Sequence, residues 1–81
     1  MEKVLDIFQR MRKKRIDLFL KELERMKEVN EEEFLAEMSV KYGVRSRTGR
    51  EYVDDLEAIG GIRRYEGKIF YVEYPTENEQ V

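Results

Sequence analysis

Reactive side chains are scarce in this chain. It has no histidine and no cysteine, which excludes an imidazole base, a thiolate nucleophile and a thiolate zinc site. The hydroxyls of Ser39, Ser46, Thr48 and Thr76 have no evident base beside them in the sequence. Glu31, Glu32 and Glu33 are adjacent residues at a helix start, so they point in different directions and do not converge on one ion. The expectation is a protein that is not an enzyme and uses no metal or cofactor. What remains is guanidinium chemistry. Arg45, Arg47 and Arg50 are interleaved with Ser46, Thr48 and Glu51. Arginine grips phosphate as a charge and the edge of guanine as a two-pronged donor, hydroxyls bond phosphate, and glutamate accepts from cytosine. A second group, Arg63, Arg64, Tyr65 and Lys68, offers further phosphate contacts, with a tyrosine ring able to lie against sugar or phosphate.

These side chains act together only if local structure gathers them. Asn30-Glu31-Glu32-Glu33 is a capping-box signature: Asn30 accepts from first-turn amides, Glu33 can reach back, and the acids suit the positive helix end. Phe34, Leu35, Met38 and Tyr42 follow at helical spacing, and Gly43 fits the left-handed residue that ends a helix. Val44 plugs the turn and Ser46 is expected to cap the next helix, which runs to about Ile59 with Tyr52, Val53, Leu56 and Ile59 inward. Thr48 with Glu51 is a second possible capping box, which would start that helix two residues later. Gly60-Gly61 stops it. Ile62–Tyr65 and Lys68–Tyr74 alternate as strands around Glu66-Gly67. Phe70, Val72 and Tyr74 share a face that suits packing on the helices. A two-residue loop would place Ile62 opposite Tyr71 on the other face, and a three-residue loop opposite Val72 on the packed face, so the longer turn is expected.

From Phe34 to Tyr74, about half of the chain, the sequence resembles the winged helix-turn-helix family. The matching residues are Ser39, Gly43, Val44 and Ser46 in the turn, Tyr52, Val53 and Leu56 inward, and Gly60-Gly61-Ile62 leading into the wing. Gly49 departs from the pattern, which usually places a branched apolar residue there. The resemblance implies an α+β, mainly α fold: a three-helix core, a two-stranded antiparallel wing and an N-terminal helical extension. It implies sequence-specific binding of double-stranded DNA and transcriptional regulation as a homodimer. Arg45, Ser46, Arg47, Thr48, Arg50 and Glu51 would lie at the groove, and Arg63, Arg64, Tyr65 and Lys68 on the wing. The basic start and acidic later part of that helix (Asp54, Asp55, Glu57) give the polarity of a docked helix.

Composition sets the outer limits. Eighty-one residues make one small domain that buries about two-thirds of its unfolded surface. We divide it into residues 1–15 as the extension, 16–74 as the core and 75–81 as a frayed tail. Charged residues reach 42%, in the ion-pair style of heat-adapted proteins, a style that helical bundles share. No apolar run suits a signal peptide or membrane span, so a soluble, cytoplasmic protein is expected; no small-molecule pocket is legible. Lys3–Lys27 is helical in pattern but carries two apolar stripes offset by roughly 100°: Val4, Ile7, Phe8 and Met11, then Ile16, Phe19, Leu20, Leu23 and Met26. Either the helix breaks near Arg12–Arg15 or one helix serves two surfaces. The second stripe belongs to the core; the first folds back on its own domain or meets a partner, most simply a second copy. The basic run Arg10–Arg15 either grips flanking phosphates or is simply exposed. The net charge of −2 favours a rival reading, a winged helix that binds protein and never touches DNA.

Overall fold

The computed structural model describes residues 4–73, with side chains from residue 9 onward. Tyr74 and the tail fall outside the described residues, as do the side chains of Val4, Ile7 and Phe8. The elements run α1 (Val4–Met26), β1 (Glu28–Asn30), α2 (Glu31–Tyr42), α3 (Ser46–Ala58), β2 (Ile62–Tyr65) and β3 (Lys68–Tyr71). The fold is α+β and mainly helical, winged-helix-like in its element order, with an antiparallel sheet ordered β1-β3-β2.

α1 is one unbroken helix. The residues between its two stripes are arginine and lysine, good helix formers, and no Gly or Pro interrupts them. Its second stripe enters the core as expected: Phe19 and Leu23 are fully buried, with Ile16, Leu20 and Met26 packed alongside. Phe19 is the hub. It meets Phe34 of α2 and Tyr52 of α3 edge-on, at 5.4 and 5.3 Å between centroids, so one ring joins all three helices. Arg12 turns inward from the other half of α1. It donates to Asp55 at 2.6 Å and lies over the Tyr52 ring at 5.1 Å.

The sheet corrects two expectations. First, a third strand exists. Lys27 adopts a left-handed conformation (φ 71°) after α1, which turns the chain so that Glu28–Asn30 can pair with β3. Only Val29 in that segment is apolar, so no alternation announces it. Second, the hairpin turn has two residues, not three. Glu66 and Gly67 both have positive φ, 50° and 78°, the twist that suits a tight hairpin. Ile62 therefore faces Tyr71, and Arg63 faces Phe70. The packed face is Ile62 and Ile69, both buried, with Val29 and Tyr71 against the core; Phe70 points the other way. A one-residue change of register exchanges the two faces, and this register buries both isoleucines.

Candidate nucleic-acid interface

The turn that aims α3 forms as its residues demand. Asn30 caps α2 by accepting from the Glu33 amide at 3.1 Å. At the other end Gly43, at φ 70°, donates to the Ser39 carbonyl, and buried Val44 anchors the bend. The start of α3 differs from expectation. Ser46 is its first helical residue, and the cap position belongs to Arg45, whose side chain makes no capping bond. The alternative start at Thr48 is not used. First-turn amides need some partner, and α3 has neither a side-chain cap nor an acid in its first turn. α2 has both.

Gly49 is buried one turn into α3. A Cβ there would stand 2.9 Å from Leu35 Cδ2 and 3.7 Å from Phe19 Cε2. Glycine here has a local cause: α3 lies close enough to α2 and α1 that a side chain would have to displace the Leu35 methyl. That approach leaves Arg45, Ser46 and Arg47 outside, all exposed. Neither arginine has an ion pair with a described residue.

The remaining residues divide. Thr48 is half-buried. Arg50 is exposed and donates to Glu32 at 3.0 Å. Glu51 does not stand alone on the outer side, because Arg12 lies 3.7 Å from it on the α1 flank. Arg64 is the most heavily engaged of the wing residues. It is a clamp, turned inward with its side chain 22% exposed. It bonds Glu31 through two nitrogens at 3.2 and 2.8 Å, Asp54 at 2.5 Å and Glu57 at 3.2 Å. Burial opposes its charge, but those three carboxylates outweigh burial and hold its pKa above the ordinary arginine value. Arg63 is exposed without an ion pair among the described residues, and Tyr65 is 67% exposed. Lys68 reaches Glu28 at 3.2 Å across an exposed bridge. The hairpin is also pinned: the Glu31 amide donates to the Gly67 carbonyl at 2.8 Å, so the wing lies against the start of α2.

Several participants were not visible as such in the sequence. Arg12, Glu31 and Glu32 act as counter-ions to residues far along the chain. Glu22 is the one buried charged residue among those described. Lys41, Tyr42 and Arg25 donate to its carboxylate at 2.6, 2.7 and 2.9 Å, and these bonds lower its pKa to about 2. It fastens α1 to the last turn of α2, directly before the bend at Gly43. Its place inside the α1 core stripe was a signal; its partners on α2 were not.

The charge along α3 runs from basic to acidic, with Arg47 and Arg50 first and then Glu51, Asp54, Asp55 and Glu57. The class defined by this architecture is a small winged-helix-like α+β domain. Searches for similar proteins found no matching family model, curated protein or solved structure. Among the described residues no helix is long and apolar enough to cross a membrane.

Proposed function

We propose that this chain is a cytoplasmic winged helix-turn-helix protein that binds double-stranded DNA in a sequence-specific manner and regulates transcription as a homodimer. The observation that carries the reading is the start of α3: an uncapped, acid-free helix end flanked by Arg45 and Arg47, both exposed and without an ion pair among the described residues. Free amides and the positive dipole end favour a phosphate there, and the arginines add charge and base-edge donors. Arg63 extends the surface along the hairpin, with Tyr65 and Lys68 beside it. Arg50 joins once released from Glu32, since an exposed bridge of that kind is worth about 0–1 kcal/mol. Arg64 and Glu51 are assigned instead to holding the domain together.

The test is titration of duplex pools at several salt concentrations. About four phosphate contacts (Arg45, Arg47, Arg50 and Arg63) imply that affinity falls roughly a hundredfold between 50 and 200 mM salt. Arg45→Ala with Arg47→Ala should remove most binding. Affinity indifferent to both would refute the reading. It would favour a protein partner, the second reading, for which the four acids of α3 against two arginines speak. The dimer is assigned to the first half of α1, where Met11 is 48% exposed on the same stripe as Val4, Ile7 and Phe8. Light scattering should give twice the chain mass and a monomer for Met11→Glu; a monomeric parent chain would remove the dimer.

A further inference from the structure

We propose that the outward face of the sheet is a stacking platform for single-stranded nucleic acid, separate from the duplex-binding end of α3. The strand register creates this face. Glu28, Phe70 and Arg63 form one row across β1, β3 and β2, and Asn30, Lys68 and Tyr65 form the next. Both rows point away from the core side occupied by Val29, Ile62 and Ile69.

The two aromatic rings on this face differ from the others described. Phe19 meets Phe34 and Tyr52 edge-on. Arg12 lies over Tyr52, Lys27 over Tyr71 and Lys41 over Tyr42. Among the described residues, Tyr65 and Phe70 alone have no ring or cation partner. Tyr65 is 67% exposed, and Phe70 is half-buried. They are diagonal neighbours on adjacent strands, and such side chains stand roughly 7–8 Å apart. That separation lets each ring take its own base while the two bases belong to consecutive nucleotides.

Charge selects the class of ligand. Each ring has a cation directly across the strand, Arg63 beside Phe70 and Lys68 beside Tyr65. Arg63 has no ion pair among the described residues, and Lys68 is held only by the exposed Glu28 bridge. Rings alternating with cations suit a backbone that carries a phosphate between successive bases. A purely apolar protein partner would gain nothing from burying these cations. A duplex can reach these cations through its phosphates but cannot use the rings, because its base faces are already stacked on one another; unpaired bases offer theirs.

The experiment is fluorescence anisotropy of the full chain with labelled oligo-dT, oligo-U and a duplex, using Tyr65→Ala, Tyr65→Phe, Phe70→Ala and Arg47→Ala. Stacking on one aromatic ring is worth enough that Tyr65→Ala should weaken single-strand binding by roughly fivefold to a hundredfold. Tyr65→Phe should keep it, because the ring remains. Phe70→Ala should act likewise if circular dichroism shows it folded, and Tyr65 carries the test if it does not. Comparing oligo-dT with oligo-U tells whether the ribose hydroxyl matters, and binding of either supports the platform. Arg47→Ala should weaken the duplex and spare the single strand, so the α3 contact and the ring platform fail separately. Absence of binding to both oligomers, or Tyr65→Ala affinity equal to that of the parent chain, overturns the proposal.

Discussion

Replacing Glu22 with glutamine should loosen the domain at the point that aims α3. The carboxylate is buried, yet three donors from α1 and α2 converge on it. Its pKa falls from 4.5 to about 2, and each unit corresponds to about 1.4 kcal/mol between protonation states. Part of that is given back in ordering the exposed Lys41 and Arg25 side chains, so the charged form contributes roughly 2 to 3 kcal/mol. Because the folded value lies below the unfolded one, this contribution is complete above about pH 4.5 and disappears as the pH falls toward 2. Glu22→Gln keeps the shape and can still accept from Tyr42, but it loses the charge that Lys41 and Arg25 address. Urea unfolding followed by circular dichroism at a series of pH values measures the effect. At pH 7 the variant should be about 2 kcal/mol less stable, with a melting temperature lower by roughly 10 °C. The gap between parent and variant should then close steadily below pH 4.5. A gap under 0.5 kcal/mol at pH 7 (a typical surface-substitution effect), or one independent of pH, would refute the assignment of Glu22 as the α1–α2 fastening.

Gly49→Ala sets two effects against each other. Alanine improves helix propensity by up to about 1 kcal/mol, but its Cβ would meet Leu35 Cδ2 at 2.9 Å, and Leu35 is itself buried. Overpacking of this kind costs roughly 1–3 kcal/mol, so net destabilisation of about 1 kcal/mol is expected by urea titration. In a Leu35→Ala background the same change should become neutral or stabilising; an equal cost in both backgrounds would exclude the steric explanation. Arg64→Ala should cost about 1–3 kcal/mol, chiefly by leaving the Glu31 carboxylate unpaired in a partly buried site. Adding Glu31→Gln should recover much of that loss, whereas Arg64→Lys should not, since an ammonium cannot span Glu31, Asp54 and Glu57 together. If Arg64→Ala leaves stability unchanged while abolishing duplex binding, Arg64 is a contact and not a clamp.

What the residue order fixed was local. The cap at Asn30, the stop at Gly43 and the inward positions of Tyr52, Val53 and Leu56 depend on neighbours within a turn or two, where helical periodicity and backbone preference decide. Ile59, expected on the same inward stripe, lies past the end of α3 and is 68% exposed. The absence of histidine and cysteine limits the chemistry in the same direct way. The hairpin was legible as a hairpin, but its packed face was not. Phe70-Val72-Tyr74 and Ile69-Tyr71 alternate equally well, and only burial of Ile62 with Ile69 selects between them. β1 has too little apolar character to be seen without β3 beside it. The division of the arginines into free and occupied lay furthest out of reach. Arg12 and Asp55 are separated by 43 residues, Arg64 and Glu31 by 33, and Arg50 and Glu32 by 18. In a chain this rich in both charges, many pairings are chemically equivalent. Tertiary packing chooses among them: the three helices meet around Phe19, and strand pairing with the Glu31–Gly67 backbone bond brings the hairpin to α2.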